Sequence, residues 1–399
     1  MNKPLVGVRI LDLTHMLAGP FAGMVLADLG AETIKVEPLG GEGTRSLLAT
    51  DPENSLHGMG AYFLTLNRNK KSVALDLKSR RGREVFKQLV AVSDIVLSNF
   101  APGVPQRLGL DFDTLREINP RIITCTVTGY GSTGPRADRP AFDQVAQAAG
   151  GGMSITGSDP AHPVRAGIPI GDLGGGMFSV MGILAALYER ERSGLGQHVD
   201  IAMVDCQIAM LSYMATMHFL SGKDPYPMGN SHFAHVPYDT FRCADGFIVI
   251  AVITDNFWQN LKQVVPCAEF DTPRYDTQPG RWQDRELINR LLNEHLSTQS
   301  CAYWLAKLEE RRIPCSPVNS FSQALSDPQV LHRNMVIELH HPAGGSTRGP
   351  GNPIKLSRSS EESFTPPPLL GADTDSVLTE ILNMPPTEIQ DLKAQGVIA

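Results

Sequence analysis

Short apolar runs alternate with amphipathic stretches along the first third of the chain. Four runs have the composition of buried strands: residues 8–13, 33–36, 94–98 and 122–127. Helical patterns occur at residues 21–29, at residues 82–92 and around Leu115. Strands that alternate with helices are typical of a parallel sheet covered by helices. The pattern therefore predicts an α/β lobe in this part of the chain.

Three of the predicted strands end in loops of small and polar residues. These loops are residues 14–20, 99–103 and 128–131. In open parallel sheets, ligands bind in the crevice outside the carboxyl ends of the strands. We therefore expect a binding site at these loops.

The rest of the chain predicts a second lobe and then a return to the first. A helix over residues 177–190 ends at a Ser-Gly-Leu-Gly stop signal. From about Pro225 the pattern changes to a hairpin and then to helical segments, which indicates a smaller α+β lobe. The predicted boundaries are 1–215 for the first part of the large lobe, 225–327 for the small lobe and 328–399 for the return.

The composition narrows the classes of function. Of the 399 residues, 42% are hydrophobic and 19% charged, and the formal net charge is −7. This acidic balance argues against nucleic acid as a partner, because nucleic-acid-binding surfaces are basic. No apolar run approaches the roughly 18 residues of a membrane span, and the first residues lack the features of a secretory signal. We expect a cytoplasmic protein that does not bind a membrane.

Cysteine and histidine positions give no indication of a metal site. The six cysteines include no CxxC pair, which indicates reduced thiols and neither a disulfide framework nor a zinc site. His340 and His341 are adjacent, and adjacent residues of a strand face opposite ways. We expect no bound metal.

One carboxylate, Asp172, stands among five glycines in the segment 167–176, just before the predicted helix. Glycines let a backbone approach a ligand closely, and a helix N-terminus favours negative charge. A functional acid is therefore one interpretation. The other makes Asp172 the N-cap of the helix and the glycines a tight turn. The segment alone does not separate the two.

A second polar loop, residues 129–135, precedes a helix that has Asp143 in its first turn. Its plain interpretation is a surface loop.

Two familiar phosphate signatures are absent, because the chain has no GxxxxGK[ST] and its glycine run does not match GxGxxG after a strand. Nucleotide hydrolysis and dinucleotide binding are therefore poorly supported.

Basic residues cluster in two places. The first cluster, Arg68, Lys70 and Lys71, stands at the entry to a predicted strand over residues 72–77 and is positioned to hold a phosphate. The second cluster lies at residues 78–83. For that cluster we expect a solvated helix face.

Taken together, these segments resemble the class III CoA-transferases, the family that includes formyl-CoA transferase and carnitine CoA-transferase. The resemblance spans nearly the whole chain, and ordered motifs at family spacing are more specific than any one of them. The motifs are Leu-Ala-Asp-Leu-Gly-Ala at 26–31, Ile-Lys-Val-Glu at 34–37, Asn-Arg-Asn-Lys-Lys-Ser at 67–72, Asn-Phe-Ala-Pro-Gly at 99–103, the blocks at 129–147 and 167–176, Ser-Gly-Leu-Gly-Gln at 193–197, and Pro-Pro-Pro-Leu-Leu-Gly at 366–371.

The resemblance implies a Rossmann-like large lobe built from both chain ends, a smaller α+β lobe, and a homodimer of two interlocked ring-shaped protomers. It also implies an enzyme with Asp172 as the catalytic residue and coenzyme A as substrate and product. Lys71 and Arg107 would contact the CoA phosphates. The residues that the resemblance places at CoA are Leu17, Ala18, Lys71, Asn99, Phe100, Arg107, Tyr130 and Asp143.

The implied chemistry is covalent. Asp172 attacks the donor thioester to give an aspartyl anhydride and CoA thiolate, which then attacks the anhydride and leaves an aspartyl-CoA thioester. The acceptor acid repeats the two steps in reverse order. Each tetrahedral intermediate carries an oxyanion that needs hydrogen-bond donors. The candidates for the oxyanion and substrate loops are Gly171, Gly174, Gly229, Asn230 and His232.

Two departures from formyl-CoA transferase bear on the substrate. That enzyme has a glutamine where this chain has Leu17, and its glycine-rich loop is longer than residues 229–231. Both differences argue against formate and oxalate. The segments at 231–238, 245–249, 316–319 and 327–330 look more like the members that use succinyl-CoA and act on C5 dicarboxylic acids such as glutarate, itaconate, mesaconate or citramalate. Candidates to bind the second carboxylate are Arg45, Arg165, His232 and His235.

Three other functions stay open. The α-methylacyl-CoA racemases share the implied fold and the aspartate, but they transfer protons and have a histidine just before the position of Asp143. This chain has Phe142 there, so a two-base mechanism lacks its partner. A formyl-CoA:oxalate-type transferase is the second alternative. The third, a protein that binds CoA without catalysis, would tolerate replacement of Asp172.

Overall fold

Helices and strands alternate through most of the chain in a computed structural model of the protein. The structure describes residues 3–359 and 362–399. Residues 1, 2, 360 and 361, which belong to the predicted large lobe, lie outside the described residues. The strands are β1 Arg9–Asp12, β2 Glu32–Glu37, β3 Ser55–Leu56, β4 Met59–Gly60, β5 Lys70–Ala74, β6 Ile95–Ser98, β7 Ile123–Thr128, β8 His198–Ala202, β9 Tyr238–Arg242, β10 Phe247–Ala251, β11 Cys315–Pro317, β12 Val336–His340 and β13 Ser346–Pro350. The α-helices are α1 Ala18–Asp28, α2 Ala61–Leu66, α3 Arg80–Ala91, α4 Val104–Leu108, α5 Phe112–Ile118, α6 Asp143–Ala149, α7 Gly152–Ile155, α8 Ile170–Ser193, α9 Met203–Leu211, α10 Tyr213–Ser221, α11 Asp255–Val264, α12 Gln278–Gln283, α13 Arg285–Leu296, α14 Cys301–Glu310, α15 Phe321–Ser326, α16 Pro328–His332, α17 Thr374–Leu382 and α18 Pro386–Ala394.

The chain divides into two compact units. The first unit consists of Met1–Gly152, Ala166–Met217 and Gln329–Ala399. The second consists of Met153–Arg165 and His218–Pro328. The first unit is thus built from both ends of the chain.

A parallel sheet of six strands, in the order β5-β2-β1-β6-β7-β8, lies at the centre of the first unit. Ile10 in β1 pairs with Thr33 in β2 on one side and with Ile95 in β6 on the other. The strand order runs outward in opposite directions from β1 and β6, so the topological switch point lies between them. The predicted α/β fold with a parallel sheet is confirmed. Ligands bind such sheets at the loops that follow the two switch-point strands.

Helices cover both faces of this sheet, which explains the nearly continuous apolar strands. On one face, α1 and α8 pack over buried side chains such as Ile10 and Ile183. On the other face, α3, α5, α17 and α18 pack over a core that includes Phe86. The C-terminal segment also binds the edge strand β5, because Asp373 Oδ2 accepts a hydrogen bond from the Ser72 amide at 2.8 Å.

Helix α8 begins earlier than the sequence predicted. The predicted helix covers residues 177–190 and leaves the glycines in a preceding loop, whereas α8 begins at Ile170 and contains four of those glycines. A Cβ at Gly176 would lie 2.7 Å from Ala18 O in α1. The glycine therefore lets α1 and α8 pack closely, and this packing outweighs the low helix propensity of glycine.

Helix α8 is also long and apolar enough to cross a membrane by length and composition, the one such helix among the described residues. This finding differs from the prediction that no segment of the chain has the length and apolar composition of a membrane span. The core helix of a soluble protein meets them too, and 44% of the apolar window is buried here. The buried part of α8 packs on the parallel sheet.

The second unit contains an antiparallel sheet in the order β11-β10-β9, with helices packed around it. Strands β9 and β10 form the predicted hairpin. The core centres on Trp258, which is fully buried. Arg281 is buried beside it, where its guanidinium donates to Asp255 Oδ1 at 2.7 Å and to Tyr275 O at 2.6 Å. Arg281 therefore holds the segments around it together.

Candidate active site

Asp172 is the third residue of α8, and its carboxylate has no hydrogen-bond partner among the described residues. The N-cap position belongs to Pro169, whose side chain makes no capping hydrogen bond. The interpretation of Asp172 as the N-cap is therefore wrong. The helix dipole favours a negative charge in this first turn. The carboxylate is thus available to a ligand.

Asp143 caps α8 instead, from the first turn of α6. Its Oδ1 accepts hydrogen bonds from the Gly171 amide at 2.8 Å and the Asp172 amide at 3.3 Å. Gln147 Nε2 donates to Asp143 Oδ2 at 2.8 Å and holds the carboxylate in place. A Cβ at Gly171 would lie 2.8 Å from Asp143 O, so glycine is needed where the two segments meet. Asp143, predicted to contact CoA, here supports the helix terminus that carries Asp172.

The surroundings of Asp172 favour its protonated form. Burial raises the pKa of Asp172 to about 6, and the negative charge of Asp143 adds to the rise. With a pKa near 6, roughly nine-tenths of the group is ionised at pH 7. Asp172 is therefore ionised at neutral pH but more basic than an exposed carboxylate, which suits a nucleophile or a base.

The backbone amides next to Asp172 already have acceptors. Gly171 and Asp172 donate to Asp143, and the Leu173 amide donates to Pro169 O at 2.9 Å. Gly174, the next candidate oxyanion donor, is buried inside α8. A hydrogen-bond donor for an oxyanion at Asp172 therefore has to come from another group.

An apolar cavity of about 760 Å³ lies along α1 and the first three turns of α8. Leu17, predicted to contact CoA, lines this cavity, whereas Ala18 is buried in the core under α8. Tyr62 of α2 adds a phenol to the lining. Arg68 also lines the cavity, but its guanidinium binds the Asp28 carboxylate at 2.7 Å. The cavity therefore offers a ligand mainly apolar contacts.

A second cavity, of about 520 Å³, lies at the switch point outside the carboxyl ends of β1, β2, β5 and β6. Phe100 and Arg107, both predicted to contact CoA, line it. Asn99 joins the two switch-point loops: its Oδ1 accepts from the His15 amide at 2.9 Å, and its Nδ2 donates to His15 O at 2.6 Å. The structure thus brings Asn99, Phe100 and Arg107 together.

The two basic clusters have different positions relative to this cavity. Lys71 Nζ binds Glu32 at 2.7 Å, and Glu32 is the first residue of β2, at the amino end of the sheet. Lys78 follows the carboxyl end of β5 and lines the switch-point cavity with Arg107. Sequence reasoning missed Lys78, although its place directly after a predicted strand was the available signal. Arg107 and Lys78 offer this cavity two cations that fit phosphate groups.

The predicted substrate-loop residues Gly229, Asn230 and His232 belong to the second unit. Gly229 and Asn230 are exposed, and the Gly229 amide donates to Gly157 O at 2.7 Å. The His232 ring stacks on Tyr238 at a centroid distance of 5.1 Å. Their role beside Asp172 stays a prediction.

The remaining predicted residues have partners or lie in the second unit. Arg45 binds Glu37 at 2.6 Å, which occupies its guanidinium within the first unit. The Tyr130 ring lies 5.9 Å from the Arg136 guanidinium. The other two candidates for the second carboxylate, Arg165 and His235, lie in the second unit. Within the described residues, no group of three or more His, Cys, Asp or Glu side chains is placed to hold a metal.

Comparison with known proteins gives consistent matches along the chain. Residues 5–374 match the model of CoA-transferase family III. The chain is 38% identical over 398 residues to the succinyl-CoA:glutarate CoA-transferase of Mus musculus, covering 99% of this chain and 90% of the relative. It is 38% identical over 357 residues to the acetyl-CoA:oxalate CoA-transferase of Acetobacter aceti, covering 89% of each. The crystal structure of a CAIB/BAIF family protein from Brucella suis superposes with a TM-score of 0.85 at 35% identity, covering 96% of this chain and 100% of that one.

Proposed function

We propose that this chain, which belongs to CoA-transferase family III, moves CoA from succinyl-CoA to a C5 dicarboxylic acid through covalent intermediates on Asp172. Family membership makes it a class III CoA-transferase, an enzyme that uses CoA thioesters as substrates. The proposal adds the carrier residue and the acids. One observation carries it: the Asp172 carboxylate has a raised pKa of about 6 and no hydrogen-bond partner among the described residues.

The reaction proceeds through four substitutions at carbonyl carbons. An Asp172 oxygen attacks the donor thioester, the C–S bond breaks, and CoA leaves as the thiolate. The thiolate attacks the aspartyl carbonyl of the anhydride, and the donor acid leaves with one oxygen from Asp172. The acceptor carboxylate then displaces CoA from the aspartyl thioester, and the thiolate takes the acceptor acyl group. No step transfers a proton, so a single ionised carboxylate suffices as the nucleophile.

The pKa of Asp172 supports this role. A nucleophilic carboxylate must be ionised at working pH, and its reactivity rises with its basicity. A pKa of about 6, caused by burial and by Asp143, meets both needs near pH 7. Because Asp143 accepts the amide hydrogen bonds of the helix terminus, Asp172 keeps its oxygens for the acyl group.

We place the nucleotide end of CoA in the switch-point cavity. Arg107 and Lys78 supply cations for the phosphates, and Phe100 supplies an aromatic surface for the base. Asn99 holds the two loops that form this cavity. This position agrees with the rule that ligands bind open α/β sheets at the switch point.

The relatives alone do not identify the acceptor acid, because two that are each 38% identical to this chain are named for glutarate and for oxalate. We favour a C5 acid such as glutarate, itaconate, mesaconate or citramalate. Leu17 stands where formyl-CoA transferase has a glutamine, and it lines the apolar cavity beside α8. An apolar wall favours an acid with a carbon chain to bury over oxalate, which has none. An oxalate-type transferase is the second candidate.

A homodimer is also part of the proposal. Met177, Met181 and Tyr188 lie along one face of α8, and all three are exposed. Contiguous exposed apolar side chains are typical of interfaces between chains. Light scattering on the purified protein should give twice the mass of one chain, and a monomer at micromolar concentration would contradict the dimer.

The racemase alternative has less support. Phe142 occupies the position before Asp143, where the racemases have a histidine, and its side chain is 65% exposed. A phenylalanine cannot take up or release a proton, so the second base is absent at this position. Proton exchange at the α-carbon of a 2-methylacyl-CoA, measured by loss of deuterium, should be undetectable.

The covalent route is tested by trapping. Hydroxylamine attacks an aspartyl anhydride or thioester and leaves a hydroxamate, which mass spectrometry of the digested protein detects. Incubation with succinyl-CoA and hydroxylamine should modify Asp172 and inactivate the enzyme. Asp172→Asn protein should give no hydroxamate at this peptide. An unmodified Asp172 peptide from enzyme that is turning over would overturn the proposal.

The acceptor is tested by a panel of acids supplied with succinyl-CoA. We expect new CoA esters from at least one of glutarate, itaconate, mesaconate and citramalate. Products from oxalate alone would replace the C5 assignment with the oxalate-type alternative and leave the covalent route unaffected.

A further inference from the structure

We propose that Tyr62 is a further catalytic residue, whose phenol donates a hydrogen bond to the oxyanion formed when Asp172 attacks the acyl-CoA carbonyl. The inference rests on the proposed covalent role of Asp172. It follows from the position of Tyr62, from the free hydrogen-bonding capacity of its hydroxyl group, and from the state of the backbone amides nearby.

Tyr62 and the first turn of α8 line the same apolar cavity. Tyr62 is the second residue of α2, and it lines the cavity together with Pro169 and Leu173, which lie on either side of Asp172 in the chain. The next residue, Phe63, is fully buried under the Arg45 guanidinium, which lies 3.8 Å from the centre of its ring. This contact holds α2 in place, so Tyr62 sits on a fixed element.

The charges around Tyr62 make it a donor. Burial raises the pKa of the Tyr62 phenol, and the carboxylates of Asp172 and Asp143 raise it further. The phenol is therefore protonated at neutral pH, where Asp172 is ionised.

The Tyr62 hydroxyl has no hydrogen-bond partner among the described residues. The same holds for the Asp172 carboxylate. The amides of Gly171, Asp172 and Leu173, by contrast, all have acceptors. A ligand that accepts a hydrogen bond from the Tyr62 hydroxyl therefore displaces no protein partner.

In the proposed step, the Asp172 oxygen bonds to the acyl carbon and the carbonyl oxygen becomes an oxyanion. The Tyr62 O–H donates a hydrogen bond to this oxyanion and keeps its proton. When the carbonyl re-forms, the C–S bond breaks and CoA leaves as the thiolate. The same hydrogen bond serves the acceptor half of the reaction, because the acceptor acyl carbon passes through an equivalent intermediate.

The test is Tyr62→Phe, which removes the hydroxyl and keeps the ring. We expect kcat to fall about a hundredfold, the usual loss for one oxyanion donor, with KM for the acyl-CoA within about twofold. The fall in kcat as the pH drops through about 6 should stay where it is, because that limb reflects Asp172, and Tyr62 does not contribute to its pKa shift. Tyr303→Phe makes the same change at an exposed tyrosine of the second unit and should leave kcat unchanged.

Three results would overturn the assignment: an unchanged kcat, a rise in KM alone, or a shifted acid limb, which would mean that Tyr62 acts on Asp172 and not on the oxyanion. If Tyr62→Phe does not fold, 3-fluorotyrosine at position 62 keeps the shape and lowers the phenol pKa. Activity should then be lost at lower alkaline pH than in the unmodified enzyme, and an unmoved alkaline limb would reject the donor role. Hydroxylamine trapping on the unmodified enzyme separates this failure from failure of the covalent route itself.

Discussion

Two aspartates of the first unit, one fully buried and one partly buried, have opposite surroundings. Asp12 ends β1 and is fully buried, where Lys70 Nζ binds its Oδ2 at 2.8 Å and the Thr14 amide donates to its Oδ1 at 2.9 Å. Lys70 in turn donates to Asn67 Oδ1 at 3.0 Å. Asp172 lies in the first turn of α8 and has no hydrogen-bond partner among the described residues.

The electrostatic outcome differs accordingly. Burial alone would raise the pKa of Asp12, but the Lys70 and Lys35 ammonium groups outweigh it and lower the pKa. Burial raises the pKa of Asp172 to about 6, and Asp143 adds to the rise. Partners turn one carboxylate into a structural group that fixes the loop after β1. Asp172, which has no such partners among the described residues, keeps its carboxylate available to a ligand.

The largest expected effect is on catalysis at Asp172. Asp172→Asn should lower kcat by about 10⁴-fold or more, because loss of a nucleophile removes the covalent route. Asp205→Asn is the matched control, since Asp205 is the third residue of α9 and is exposed. Steady-state kinetics with succinyl-CoA should show full activity for the control. Comparable losses in both variants would mean that Asp172 acts through the helix and not as a nucleophile.

The next effect is on stability at Asp12. Asp12→Ala should lower the free energy of unfolding by about 3–5 kcal/mol, because it leaves the Lys70 charge buried without its partner. Glu84→Ala is the control: it breaks an exposed ion pair with Arg80, for which we expect a loss below about 1 kcal/mol. Urea denaturation measures both. A loss at Asp12 no larger than at Glu84 would contradict the structural role of the Asp12–Lys70 pair.

Stability at Asp172 should change in the opposite direction. A carboxylate whose pKa is raised in the folded state destabilises the fold above that pKa, and the penalty disappears as pH falls below the unfolded value. Asp172→Asn should therefore be more stable than the unmodified chain by about 2 kcal/mol at pH 8, and the gain should shrink towards pH 4. A variant that is less stable at pH 8 would show that the carboxylate has a structural partner.

The smallest expected effect is on KM for succinyl-CoA. It distinguishes Lys78 and Arg107, which line the switch-point cavity, from Lys71 at the amino end of the sheet. Lys78→Ala and Arg107→Ala should each raise KM for succinyl-CoA about tenfold, the loss of one charge-assisted contact to phosphate. Lys71→Ala should raise it less, because Lys71 binds Glu32 at the amino end of the sheet. Initial-rate kinetics at low salt measure all three. A larger effect at Lys71 would support the sequence-based prediction that Lys71 contacts the CoA phosphates.

The fold was largely predictable, because runs such as residues 94–98 and the amphipathic helix after Arg80 follow from hydrophobic periodicity. The start of α8 was not, because its glycines have low helix propensity and their close packing on α1 depends on a distant segment.

In the site, the glycine-rich segment made Asp172 a candidate acid, and the family resemblance implied its catalytic role. The capping role of Asp143 could not be predicted, because it depends on the contact of α6 with α8. Lys78 was assigned to a solvated helix face because a one-dimensional pattern does not show that the end of β5 borders the switch-point cavity.

The covalent role of Asp172 is tested most directly by tracing the oxygen atom that the acceptor acid leaves on the Asp172 side chain. In a turnover with an acceptor acid labelled with ¹⁸O in its carboxylates, the regenerated Asp172 receives one oxygen from the acceptor. Mass spectrometry of the digested enzyme should therefore find ¹⁸O in the Asp172 side chain and in none of the control aspartates, Asp12, Asp143 and Asp205. An unlabelled Asp172 after complete turnover would contradict the account.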